Sequence, residues 1–344
     1  MIGRVVKGKY RIMDEVGQDL VSTIYLAKDT ARKMLVTLRV INPERAAENQ
    51  FREHFEQEVS CLKQLNSTQA IKVLDYGEDE GILFVAQEHV QGTALSDVLA
   101  EEEPLQVGRA LDIARQVVLC LVDAHAKGVV HRQICPEHII LITERVVRVV
   151  GFSIAWGPEM TRLMAMGKLG CPHYLSPDLA SMREADARSD LYSLGAILFE
   201  MLSGSKPYDA DSAAAVVLAH LYEPITSLLE LDRDILPQVD ELVRKCLAKE
   251  PQDRYQTAAE LLEAIDAARR ALDASGSDTF ADLAGQTLGP YRIIGQIGQG
   301  GMSTVYKAYE AALDRYVAIK VLSQALGHGP EFAIRFEREA KAVA

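Results

Sequence analysis

The chain repeats itself, and no other feature constrains its fold more. Residues 291–339 (YRIIGQIGQGGMSTVYKAYEAALDRYVAIKVL…FEREA) align with residues 10–58 (YRIMDEVGQDLVSTIYLAKDTARKMLVTLRVI…FEQE) without a gap, at a constant offset of 281. Of those 49 positions, 16 are identical. A self-match of this length marks two copies of one domain opening. The first copy is followed by about 215 residues before the next boundary, the second by five. Between them DASGSDTFADLAGQ (273–286) is small and polar and reads as a linker. The expected organisation is therefore a complete domain over 1–272, a linker over 273–288, and the truncated start of a second domain over 289–344. The sequence is expected to be a fragment of a longer protein, and half a lobe is expected to be poorly ordered for want of a core.

Composition narrows the function classes. The 344 residues are 48% hydrophobic and 25% charged, which excludes a disordered polymer. Lys and Arg number 37 against 49 Asp and Glu, a net charge of −12. A nucleic-acid partner is not expected, because phosphate-backbone binding runs on positive charge. Five widely spaced cysteines without a CxxC pair indicate neither a zinc ribbon nor a disulfide framework and point to a reducing compartment. The start, MIGRVVKGKYRI, has no apolar signal core, and no run approaches 18 apolar residues. A cytoplasmic location without a membrane segment is expected.

The hydrophobic pattern changes period along the chain. Residues 10–42 fall into short β-type runs; in VTLRV, Val36, Leu38 and Val40 share one face, Thr37 and Arg39 the other. Phe51, Phe55, Val59 and Leu62 recur at helical spacing. Val107, Leu111, Ala114, Val118 and Leu121 form a second helical stripe, and 189–204 is apolar nearly all round, so a buried helix ending at Gly204 is expected. Thr257 and Glu260 form a capping box before a helix beginning AAELLEAI. The expected class is α+β, a small β-rich lobe followed by a large helical one.

The second copy carries Gly298, Gly300, Gly301, Ser303 and Val305, then VAIK ending at Lys320, then Glu339 within FEREA. The first carries, in order, QEHVQG (87–92), HRQICPEH (131–138), GFS (151–153), GCPHYLSPD (170–178), SDLYSLG (189–195) and Arg254. With these motifs the chain resembles the eukaryotic-like (Hanks-type) bacterial serine/threonine protein kinases. The resemblance implies a bilobal protein-kinase-like fold, followed by the start of a second kinase N-lobe. It implies ATP as cofactor for the second copy, bound through Gly298, Gly300, Gly301, Ser303, Val305, Lys320 and Glu339. It also implies protein substrates or signalling partners.

In this family a strand Lys holds the phosphates and pairs with a helix Glu, a loop Asp takes the substrate proton, and an Asn and a second Asp hold magnesium. The first copy departs from the pattern at each place. Asp19 stands at the second glycine, Arg39 at the lysine and Thr37 at the alanine beside it. Gln133 stands at the base, His138 at the metal-binding Asn and Gly151 at the metal-binding Asp. Cys135 and Cys171 replace a Lys and a Thr that touch in active members. No catalytic residue and no metal ligand is therefore expected in the first copy. Arg39 keeps the charge and can still pair with Glu58, but Arg and Lys are not interchangeable in a tight site. His131 and Phe152 match spine positions, Asp190 the aspartate that bonds the catalytic loop, and Asp178 with Arg254 a buried acid–Arg pair.

The reading is a catalytically inactive regulatory pseudokinase over 1–272, tethered to an ATP-dependent kinase domain and acting on a kinase domain in cis or in trans. A nucleotide sensor or a protein-binding scaffold without phosphotransfer is the alternative. Three lesser possibilities stay open: a redox pairing of Cys135 with Cys171, phosphate on an exposed Thr161 held by Arg132, and a metal at His131, His138 and Cys135, the last set being expected to hold none. Trp156 is expected to pack.

Overall fold

The computed structural model describes residues 1–19, 21–101, 104–154, 158–166, 170–231, 235–279, 286–300, 303–310 and 313–322. The chain divides into two compact units, Met1–Ala268 and Arg269–Ala344.

The first unit opens with a six-stranded antiparallel sheet in the order β1-β2-β3-β4-β6-β5. Its strands are β1 (Val5–Val6), β2 (Tyr10–Gln18), β3 (Ser22–Asp29), β4 (Met34–Ile41), β5 (Val73–Asp79) and β6 (Ile82–Glu88). Between β4 and β5 lie α1 (Pro43–Ala46) and α2 (Asn49–Lys63). The alternation in VTLRV is realised: Val36, Leu38 and Val40 join Tyr10, Ile12, Tyr25 and Phe84 in one core, leaving Thr37 and Arg39 on the opposite face. Phe51, Phe55, Val59 and Leu62 are the buried stripe of α2, which packs on β5.

The second lobe is helical, with one small sheet of β7 (Thr93–Ala94), β8 (Ile139–Thr143) and β9 (Val146–Val149). Its helices are α3 (Leu95–Glu101), α4 (Val107–Ala126), α5 (Pro158–Ala165), α6 (Pro177–Ala180), α7 (Ala187–Ser203), α8 (Ala213–Tyr222), α9 (Leu228–Leu231), α10 (Pro237–Cys246) and α11 (Ala258–Thr279). α7 is the axis of the lobe, buried on every side between α4 and α10. Gly195 permits this: a Cβ there would collide with Cβ of Cys246 on α10. α7 ends where Gly204 takes the left-handed conformation (φ +71°) that a non-glycine residue adopts only at a cost. The bilobal architecture implied by the sequence is thus the one observed.

One boundary differs. α11 continues to Thr279, into the segment expected to be linker. Nothing in 273–279 stops a helix: there is no proline, Asp273 pairs with Arg269 one turn back at 2.6 Å, and a single Gly276 costs only about 1 kcal/mol.

The second unit contains a four-stranded sheet, β10 (Thr287–Leu288), β11 (Tyr291–Gly300), β12 (Ser303–Glu310) and β13 (Arg315–Leu322). Strands β11–β13 reproduce β2–β4 at the sequence offset, while β10 pairs with β11 one residue out of step with β1 on β2. Tyr291 pairs with Glu310 as Tyr10 pairs with Asp29, and the irregularities at Ile293/Gly295 and Gln296/Gly298 match those at Ile12/Asp14 and Glu15/Gly17. Ile293, Tyr306 and Ala308 are buried against Val317, Ile319 and Val321. Alternation gives even this half-sheet one apolar face.

Candidate functional site

The loop between α4 and β8 (131–138), the segment after β9 (151–154), Arg39 on β4 and the turn after β2 converge on one place. Asp190 on α7 organises the loop. Its buried carboxylate accepts the backbone N–H groups of His131 and Arg132, each at 2.8 Å, and bonds His125 Nε2 at 2.8 Å. Burial works to raise the Asp190 pKa, but these donors outweigh it and hold the group ionised. They also hold Arg132 in the left-handed region (φ +65°), a conformation that a non-glycine residue keeps only when its surroundings enforce it.

His131 is fully buried and stacks on Phe152 with ring centroids 4.4 Å apart, as the spine assignment implies. Its Nε2–H donates to the Val150 carbonyl at 2.8 Å, while Nδ1 accepts from the Gln133 N–H at 3.2 Å. Burial pushes its pKa down to about 4, so the ring is neutral.

His138 and Gly151 meet directly. The His138 ring is held by a 2.7 Å bond to the Gln133 carbonyl and packs against the bare Cα of Gly151. A Cβ at Gly151 would lie 2.6 Å from His138 Nε2 and closer still to two ring carbons. Gly151 also has φ +78°. The ring therefore fills the space in which an acidic side chain at 151 would stand. Burial lowers the His138 pKa as well, so the ring adds no fixed charge.

At the mouth of the site Asp19 folds back on its own turn. Its carboxylate accepts from Val21 N at 2.9 Å, Ser22 N at 2.7 Å and Ser22 Oγ at 2.9 Å, and it forms a close ion pair with Arg39. Burial favours the neutral acid, but Arg39 and these donors outweigh it, leaving the Asp19 pKa below the ordinary carboxylate range. Arg39 also donates to Ser22 Oγ and to the Phe152 carbonyl, both at 3.3 Å. This corrects the expected partnership: Arg39 is held by Asp19, and Glu58 on α2 pairs instead with Arg132 at 3.0 Å. The longer, forked guanidinium reaches the carboxylate that the turn presents. The sequence held a signal for this contact, an acid and a base standing where the family has a glycine and a lysine.

Thr161, expected to be exposed, is buried on α5, one turn from Met164, which packs on Leu175 and Leu179. The two lie on one helix face, and the face is the inner one. Arg132, the expected receiver of its phosphate, is engaged by Glu58. Cys135 and Cys171 are neighbours, and all five cysteines are free thiols. Trp156 lies outside the described residues.

In the second unit Gly298 pairs with Val305, Gly300 with Ser303, and Val305 with Lys320, so these residues sit together on three adjacent strands. Lys320 is exposed and opposite in facing to the buried-side Ile319 and Val321. Gly301 and Glu339 lie outside the described residues.

Residues 10–264 match the protein kinase domain family. The chain is similar to the serine/threonine-protein kinase pkn3 of Myxococcus xanthus, 33% identical over 291 residues that cover 80% of this chain and 53% of the relative. It is also similar to PrkC of Bacillus subtilis, a serine/threonine-protein kinase, 31% identical over 274 residues covering 78% and 42%. The crystal structure of the Mycobacterium tuberculosis PknI kinase domain superposes with a TM-score of 0.61 at 25% identity, covering 78% of this chain and 98% of that one. The chain spans about half the length of the curated relatives it matches.

Proposed function

The chain belongs to the protein kinase family and has the protein kinase fold, and on that premise we propose that residues 1–272 are a catalytically silent regulatory domain. The reading rests on one observation above the others: the His138 ring occupies the place of a side chain at Gly151. The two positions that hold magnesium in the family thus carry no carboxylate, and one fills the other. The residues do not fit the ion. Gln133 offers no base at the third position.

Asp19 and Arg39 support the same reading. The cation that would meet a nucleotide's phosphates is neutralised by a carboxylate from its own domain, an internal stand-in for the phosphate charge. The retained scaffold gives the domain a use as a surface. Its partner in this proposal is a kinase domain, in cis or in trans, within a cytoplasmic signalling protein acting on protein substrates. Among the described residues no helix is long and apolar enough to cross a membrane. Residues 289–344, after a linker over 273–288, are proposed to open a second kinase domain. There Gly298, Gly300, Gly301, Ser303, Val305, Lys320 and Glu339 serve ATP.

Nucleotide titration tests this reading. The first unit is expected to bind ATP only weakly and equally with and without magnesium. Asp19→Gly, which releases Arg39, is expected to tighten binding about tenfold, still without magnesium, because one charge-assisted contact becomes available. Magnesium-dependent tightening in the Asp19→Gly variant that is lost on Arg39→Ala would overturn the proposal. Binding that is tight in the unaltered chain and independent of magnesium would favour a nucleotide sensor.

A further inference from the structure

We propose that Cys135, Glu137 and Cys171 form a zinc site that ties the segment at 170–174 to the loop at 131–138. The two Sγ atoms and a carboxylate oxygen of Glu137 all lie within 4.8 Å of one another. Cys171 Sγ is 3.4 Å from Glu137 Oε2. In a tetrahedral zinc site, Zn–S bonds of about 2.3 Å and Zn–O bonds of about 2.0 Å place ligand atoms roughly 3.5–3.8 Å apart. The three groups are therefore already close to ligating separation before any ion enters.

A second observation is independent of these distances. A cavity of about 20 Å³ has both thiols, Cys135 and Cys171, in its lining, together with Arg132, Gln133, His138, Tyr174 and apolar neighbours. That is room for one water or one ion and for nothing larger. Cys135 is buried and Cys171 half-buried. Glu137 is exposed and stands outside that lining, its carboxylate meeting Cys171 Sγ. Of His131, His138 and Cys135, only Cys135 belongs to this set. His131 is committed to Val150 and Gln133. His138 Nδ1 lies 3.3 Å from Cys135 Sγ, but its proton is donated to the Gln133 carbonyl. The fourth position is left to a water.

The donor chemistry selects the ion. Two thiolates with one carboxylate suit zinc and disfavour magnesium or calcium, which take oxygen ligands. Without an ion, Cys171 alongside and then burial hold the Cys135 thiol well above its ordinary pKa. Binding then releases both thiol protons to solvent as the two Zn–S bonds form, with no change of oxidation state. The ion would bridge segments that are 36 positions apart in sequence, Cys135 to Cys171.

The purified, reduced and chelator-stripped chain is titrated with cobalt(II), and the cobalt is then displaced by zinc. One cobalt per chain is expected, with the near-ultraviolet absorption of thiolate-to-cobalt charge transfer. Cys135→Ser and Cys171→Ser should each abolish that band and weaken zinc binding at least about 100-fold, and Glu137→Gln about tenfold. Cys61→Ser, remote from the cluster, should leave both unchanged. Because Glu137 is exposed, its variant tests the site without threatening the fold. No stoichiometric binding, or a charge-transfer band that survives Cys171→Ser, overturns the proposal. So does isolation of the chain with Cys135 and Cys171 disulfide-bonded and zinc-free under reductant-free handling.

Discussion

Replacing Arg254 with alanine should lower the stability of the first unit by about 4 kcal/mol or more. The side chain is buried. Its Nη1 is 2.6 Å from Asp178 Oδ2, Nε donates to the Ala248 carbonyl at 2.8 Å, and Nη2 donates to the Lys249 carbonyl at 2.7 Å. The guanidinium also lies over the Tyr192 ring, 5.0 Å from its centroid. Removing one partner of a buried ion pair typically costs about 3–5 kcal/mol, because the other charge is left without compensation. Among the described residues Asp178 would retain Ser189 Oγ at 3.3 Å, and the carbonyls of Ala248, Lys249 and Arg188 would lose the Arg254 donor. Against a typical domain stability of about 5–15 kcal/mol, this is a large fraction. A fall in melting temperature of roughly 8–16 °C is expected. Urea unfolding of the variant decides it; a loss below about 1 kcal/mol would mean that the pair does not anchor α6 to the segment at 248–254.

Restoring an acid at Gly151 should harm the domain rather than revive it. Gly151→Asp sets a Cβ against the His138 ring and asks a branched backbone to hold φ +78°. Overpacking costs about 1–3 kcal/mol and the left-handed conformation about 1–2 more. A loss of about 2–5 kcal/mol and a drop of roughly 4–20 °C in melting temperature follow. Adding His138→Asn removes the steric part, so the double variant should recover more than half of the loss. This is the non-additivity expected of residues in contact. Thermal melts of the two singles and the double measure it. An unaltered melting temperature for Gly151→Asp would show that the ring moves aside at no cost, and that the two positions are not adapted to each other.

How much of this was legible in the sequence depends on the kind of interaction. Periodic burial was legible: the α2 stripe of Phe51, Phe55, Val59 and Leu62 and the all-round burial of α7 follow from spacing alone. So was the buried Asp178–Arg254 pair, and so was the bonding of Asp190 to the 131–138 loop. Contacts made by long side chains were not. Arg39 has reach enough for either Glu58 or Asp19, and only the fold of the turn at Asp19–Ser22 decides between them. Thr161 read as exposed because a single threonine carries no pattern; its burial depends on where α5 lands. The extension of α11 to Thr279 was obscured by composition, since small polar residues suggest a linker even where no proline or cap enforces one. Gln133, His138 and Gly151 were identified as substitutions from the sequence. That two of them share one volume was visible only in three dimensions.

The central claim is that residues 1–272 transfer no phosphate, and its most direct measurement is γ-phosphate transfer from labelled ATP. The purified 344-residue chain is incubated with magnesium and a generic serine- and threonine-rich protein, beside its Arg39→Ala and Glu58→Ala variants. Label incorporation at the level of both variants, in the chain and in the added protein alike, is the expected result. Magnesium-dependent phosphoserine or phosphothreonine that is present with the unaltered chain and lost in both variants would contradict a silent first unit.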